Sequence, residues 1–417
     1  MPTTDQLKKN FNNPFIALRH KNFRYYWIGM CVSLIGTWMQ NIAQPWLAYT
    51  LTKSPFLLSL IGALQFTPVL LFSLFAGVII DKFAKKKILI FTQFASMVIT
   101  LILAILVWSG DVRYWHLVVM ASALGIVNTF DMPTRQAFVV ELAGREDLMN
   151  AIALNSSIFN VARIIGPALA GIVMNYVGIG DCFFANSISF GAVLISLFFI
   201  KPLPITAKPK DNSKIFTDIK DGIKYIFKNR IILDTILVIA IVGTFGPNFS
   251  VLVPVFAKEV LHQKEAGFGI LMSLMGVGSF IGAMIVATTS RSGPKRVMMN
   301  AVPLLVGIFL IITGYTNAYF LTGLSLAFTG FFFVSFSSSA NSTIQLNTSD
   351  EYRGRVMSIY SLVFSGSTPI GNLYAGAFTQ GFSSRIGFVA CGLIIILLMI
   401  PLYLYRSRRE SGQGLMP

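Results

Sequence analysis

Apolar residues gather in twelve long stretches, six on either side of one polar, basic segment. They run over 23–47, 57–80, 88–108, 115–138, 149–174 and 182–200, then 232–256, 266–289, 297–315, 318–340, 357–381 and 386–405. Each has about the 20 residues an α-helix needs to cross the hydrocarbon core of a bilayer. Within lipid no water is available to pair a stray backbone group, so each stretch must satisfy its own hydrogen bonds as a helix. The pattern predicts an all-α membrane protein of twelve transmembrane helices, arranged as two pseudo-symmetric six-helix bundles.

The polar stretches set the boundaries. Residues 1–22 form a cytoplasmic N-terminal amphipathic segment, 23–200 the first bundle, 201–231 a cytoplasmic linker, 232–405 the second bundle and 406–417 a cytoplasmic tail. The linker opens with KPLPITAKPKDNSK, whose prolines and lysines predict irregular structure. It continues as IFTDIKDGIKYIFKNR, where Phe216, Ile219, Ile223 and Ile226 recur at helical spacing among charged residues. That spacing predicts an interfacial helix on the inner membrane face. NPFIALRHKNFRYYW before the first span reads the same way, with Phe15, Leu18 and Phe23 facing lipid.

Composition agrees. Hydrophobic residues are 54% of the chain, charged residues 12%, and the mean hydropathy is +0.70. A soluble protein carries about 25% charged residues. The net charge of +16 forms no single patch, which argues against nucleic acid. It reports topology instead. With the N-terminus in the cytoplasm, 27 of the 33 Lys and Arg lie on the inner side and 5 on the outer side. That bias places both termini inside. Cys31, Cys182 and Cys391 have no metal or disulfide spacing and read as buried packing residues. The first twenty residues show no small-residue cleavage site, so no signal peptide is read there.

The two halves echo one another. GVIIDKFAKKK (77–87) follows span 2 and SRSGPKR (290–296) follows span 8; ELAGRED (141–147) follows span 4 and DEYRGR (350–355) follows span 10. Basic turns at matching places indicate internal duplication, as in transporters built from parallel repeats. GVIIDKFAKKK resembles the loop motif of the major facilitator superfamily: Gly77, Asp81, Lys82 and Lys85 to Lys87 match, and Ala84 replaces the second Gly. NPFIALRHKNFRYYW, GTWMQNIAQPWLAYTLTKSP, DMPTRQAFVVELAGREDLMNAIALNSS and ARIIGPALAG are similar to the branch holding the enterobactin exporter and the macrolide efflux pumps. In such exporters a Gly/Pro motif marks span 5; Gly166, Pro167 and Gly171 match it, while Ala162 and Ala170 stand where Gly is common.

Ionisable residues inside spans are functional candidates by default. Asp131 and Arg135 lie i, i+4 in span 4 with Pro133 between them, and Arg163 lies about 22 Å along span 5. One reading makes Asp131 a proton-coupling carboxylate, switched as it meets water or Arg163. The other makes it a fixed structural partner of Arg163 or Arg135. Gly77, Asp81, Lys82, Lys85, Lys86 and Arg145 read as an inner gate, with Asp81 meeting a helix N-terminus or Arg145. The alternative is plain positive-inside topology, which suits Lys85 to Lys87 but does not account for the acid at Asp81. Gln40, Gln44, Asn128, Asn155, Asn248 and Phe249, with Trp38 and Trp46, read as the wall of a substrate cavity. The alternative for the amides is interhelical hydrogen bonding.

No Walker loop, Ser-nucleophile signature or His cluster is present, so no enzyme, cofactor or metal site is expected. The resemblance implies a monomeric, proton-driven exporter in the bacterial inner membrane. Its cargo would be an amphipathic small molecule of the siderophore or drug class, moved by alternating access. A carrier of lysophospholipid-like substrate is the alternative within transport. A non-transporting membrane sensor or assembly partner is the alternative outside it.

Overall fold

The computed structural model describes residues 14–144, 146–201, 215–289 and 296–413. Among these the chain is helical, with no strand. A 3₁₀ turn, Ile16–Arg19, precedes α1 (Lys21–Thr52), α2 (Pro55–Lys82), α3 (Lys85–Trp108), α4 (Tyr114–Ala143), α5 (Leu148–Tyr176) and α6 (Ile179–Phe199). The linker helix is α7 (Ile215–Lys228). The second half comprises α8 (Arg230–Phe245), α9 (Phe249–Glu259), α10 (Glu265–Thr289), α11 (Arg296–Asn300), α12 (Val302–Tyr315), α13 (Tyr319–Leu346), α14 (Asp350–Gly381) and α15 (Ser384–Gln413).

Ten stretches among the described residues are long and apolar enough to cross a membrane. The other two of the twelve are α1 and α14, each of 32 residues. Both are diluted by polar positions: Gln40, Asn41 and Gln44 in α1, and Asp350, Glu351, Arg353, Arg355 and Asn372 in α14.

Two expected single spans are broken. The stretch 232–256 divides into α8 and α9 around Gly246, Pro247 and Asn248. Pro247 has no N–H to continue the ladder and disfavours a helical residue before it. The stretch 297–315 divides at Ala301, with Pro303 in the first turn of α12. Pro45, Pro68, Pro133, Pro167, Pro254, Pro369 and Pro401 are instead carried inside helices. Membrane helices tolerate proline because neighbouring groups re-satisfy the freed carbonyl.

The described chain forms two compact units, Met1–Ala43 with Leu71–Lys210, and Gln44–Leu70 with Asp211–Pro417. In the first unit, α3 packs against α6 and α4. Its core gathers Phe23, Tyr26, Met30, Leu89, Phe138, Leu154 and Leu197. Phe23 is therefore not a lipid-facing residue: it is fully buried, because the first turn of α1 rotates it inward. Phe15 is exposed as expected, and Leu18 packs partly on the core. In the second unit, α10 packs along α13 and α12 along α15. A side chain at Gly278 would overlap the Ala327 carbonyl, so α10 and α13 approach at backbone distance.

The linker helix packs more closely than a surface helix would. Ile226 is buried while Ile223 is exposed, and Gly222 lies against Arg355 and Ile359 of α14. Tyr225 stacks on Tyr352 with centroids 4.5 Å apart. The Ser349 N–H donates to the Tyr225 hydroxyl at 3.1 Å, and hydrogen bonding from Ser349, from its side chain first and its backbone second, holds that phenol below its usual pKa. The side chains of Phe216 and Ile219 lie outside the described residues.

Candidate functional site

The strongest polar cluster of the first unit is built on α4. Asp131 is buried, with 4% of its surface exposed. Thr92 Oγ1 and Gln93 Nε2, adjacent on α3, each donate to its Oδ1 at 2.7 Å. One turn further along α4, the Arg135 guanidinium pairs with its Oδ2 and also reaches the Met30 sulfur. Tyr26 stands beside Arg135 and meets Phe138 edge-on at 5.4 Å. An acid held by a guanidinium and two neutral donors is fully satisfied, as a buried charge must be.

Of the three expected charges, the structure brings together Asp131 and Arg135. Arg163 is not joined to them. It sits mid-way along α5, half-buried, with its Nε enclosed and without a hydrogen-bond partner. Thr92 and Gln93 were missed. Their signal was a polar pair inside an apolar stretch, but nothing in a single sequence says which face of α3 they share with α4.

Asp81 lies within α2 and its side chain, like Arg145, lies outside the described residues. Lys82 is exposed, and Gly77 has open space where a side chain would stand. Lys85 pairs with Glu141 of α4 at 2.7 Å, and Lys86 donates to the Ile200 carbonyl at 2.7 Å. Ala84 holds φ −61° and ψ 121°, an ordinary extended conformation, so the turn into α3 needs no glycine. Asp147 at the start of α5 takes Arg19 Nε and His20 Nε2, both at 2.7 Å. Asn150 accepts from the Ala17 N–H and donates to the Pro14 carbonyl. The N-terminal turn is thus tied to the head of α5.

The span-5 residues Gly166, Pro167 and Gly171 are all buried. A methyl at Gly166 would stand 3.2 Å from the Ile35 carbonyl and closer still to Trp38, so α1 and α5 touch there.

The expected cavity residues divide between the units. In the first, buried Gln40 accepts from Asn186 at 2.6 Å, Asn128 is half-buried, and Asn155 has an enclosed, unpartnered Oδ1. In the second, Gln44 donates to Gln65 at 3.3 Å. Asn248 is fully buried, donating to the Thr244 carbonyl and the Cys391 sulfur, and Phe249 is buried beside it. Trp46 stacks on Phe268 and donates to Glu265 at 3.0 Å, while Tyr49 binds Glu259. Lys258 lies over both rings. Gln40 and Asn248 therefore serve as interhelical ties. The cysteines are free, and among the described residues no His, Cys, Asp and Glu group could hold a metal.

Residues 12–413 match the family model described as transmembrane secretion effector. The chain belongs to that family of the major facilitator superfamily. It is 26% identical to the staphyloferrin A transporter of Staphylococcus aureus, over 94% of this chain and 99% of the relative. It is 23% identical to the multidrug efflux pump Tap of Mycobacterium tuberculosis, over 87% of this chain and 88% of that pump. A bacterial homologue of the human lysosomal transporter Spinster, solved inward-facing and unoccupied, superposes with a TM-score of 0.75. It covers 93% of this chain and 96% of its own at 13% identity, a likeness of fold alone. The protein is a multi-pass membrane transporter and not an enzyme.

Proposed function

We propose that this chain is a proton-coupled exporter of the inner membrane, carrying an amphipathic small molecule of the siderophore or drug class outward by alternating access. Both termini are cytoplasmic, and the working unit is a monomer. The single observation behind the coupling is the Asp131 cluster, a carboxylate buried in a span with one counter-charge, Arg135, one turn away. A carboxylate buried in a span beside a single counter-charge is the element a proton-coupled carrier needs. Support for the cargo class comes from relatives named for staphyloferrin A and for multidrug efflux. The 27-to-5 distribution of Lys and Arg supports the orientation.

Inverted membrane vesicles energised with a proton gradient test the reading. Vesicles containing this chain should accumulate a macrolide or staphyloferrin A, and an uncoupler should abolish the accumulation. Equal uptake by vesicles lacking the chain would overturn the export reading.

A further inference from the structure

We propose that Arg163 is the point at which this carrier recognises an anionic group, and that its cargo is an amphipathic carboxylate. The proposal rests on the export reading above and adds the chemistry of the substrate.

Arg163 lies 15 residues after the first residue of α5 and 13 before the last. At 1.5 Å per residue this places it about 20 Å from either end. A guanidinium at that depth is costly unless it has a partner. Arg135, the arginine of α4, has Asp131. Arg163 has an enclosed Nε with no acceptor, and among the described residues no carboxylate pairs with it. A built-in charge with no built-in counter-charge is what a site for an external anion requires.

The same stripe of α5 carries two further features. Phe159 precedes Arg163 by four residues, so the two share a face. Its ring meets Trp38 of α1 edge-on at 5.7 Å. Asn155 lies one further turn back, and its Oδ1 is enclosed without a donor. A cation, one ring of an aromatic pair and an unpaired acceptor thus follow one another along α5. About 12 Å of axis separates Asn155 from Arg163, shortened because helical side chains lean toward the N-terminus. A matching molecule places a carboxylate on Arg163, an apolar body on Phe159 and Trp38, and a hydroxyl or amide donor on Asn155. The planar guanidinium suits a carboxylate, which it can hold through two hydrogen bonds. Lipid headgroups are an unsuitable source, since the hydrocarbon core keeps them about 15 Å from the midplane.

The test uses the purified full chain in phosphatidylcholine nanodiscs. The probes are dansylated 6-aminohexanoate and its carboxamide, which differ in charge at the carboxyl end. Fluorescence titration should show a preference for the carboxylate of about tenfold or more, the value of one charge-assisted pair. Arg163→Gln should erase that preference without lowering the melting temperature, and Arg163→Lys should retain part of it. A wild type that does not discriminate, or an Arg163→Gln protein that keeps the full preference, would overturn the proposal. So would a preference lost when phosphatidylglycerol replaces phosphatidylcholine, because the anion bound would then be lipid. The export reading fails separately: a chain that binds the carboxylate through Arg163 but exports neither probe from energised vesicles keeps this site and loses that reading.

Discussion

Gln93 of α3 donates its amide to Asp131 of α4 at 2.7 Å, beside the Thr92 hydroxyl at the same distance. The two spans are therefore tied through one buried carboxylate. Gln93→Leu removes one donor while keeping the volume. It should cost about 1–3 kcal/mol, the range for a buried acceptor that loses a partner. Thermal unfolding in detergent checks this; an unchanged midpoint would mean that water or another donor takes the place of Gln93.

The Lys85–Glu141 pair is largely shielded, with 12% and 21% of the two side chains exposed. A double-mutant cycle with Lys85→Ala and Glu141→Ala should give a coupling of about 0.5–3 kcal/mol. The swapped pair, Lys85→Glu with Glu141→Lys, should recover part of the lost stability. Strict additivity of the two single changes would show that the contact contributes nothing.

Gly166 should accept no larger residue. Gly166→Ala forces a methyl against Trp38 and should cost about 1–3 kcal/mol by overpacking. Gly166→Leu should lose transport as well. If the Gly166 contact is the cause, Trp38→Ala combined with Gly166→Ala should be more stable than the sum of the single changes allows. Thermal scans of the four proteins decide it.

The N-terminal turn should loosen when its acid is neutralised. Asp147 holds both Arg19 and His20. In Asp147→Asn, hydrogen exchange over Ile16–Arg19 should speed by about tenfold, equivalent to about 1.4 kcal/mol. Exchange at the wild-type rate would assign the anchoring to Asn150 alone.

Much of this was legible along the chain because the bilayer imposes one rule on every span: its backbone must be helical. The breaks at Pro247 and Pro303 could have been read from proline chemistry, but the apolar run continues across both and masks them. The site was less legible. Asp131 and Arg135 could be paired from their spacing, since i and i+4 share a face. Thr92, Gln93 and Met30 could not, because their nearness to Asp131 depends on the rotation of α3 and α1 in the bundle. Phe23 failed for the same reason: its spacing fits a lipid-facing stripe equally well, and tertiary packing turned it inward. Arg163 was visible as a buried charge, but its lack of a partner is a fact of three dimensions.

Proton coupling through Asp131 is tested most directly by proton flux in liposomes reconstituted with wild type and with Asp131→Asn. A macrolide gradient imposed across the bilayer should drive opposing proton movement through the wild type, read as a change in lumenal pH. Asp131→Asn should still exchange labelled for unlabelled macrolide, but with no proton movement and no uphill accumulation. An Asp131→Asn protein that accumulates macrolide uphill with an unchanged proton requirement would contradict the account and leave the cluster a purely structural tie between α3 and α4.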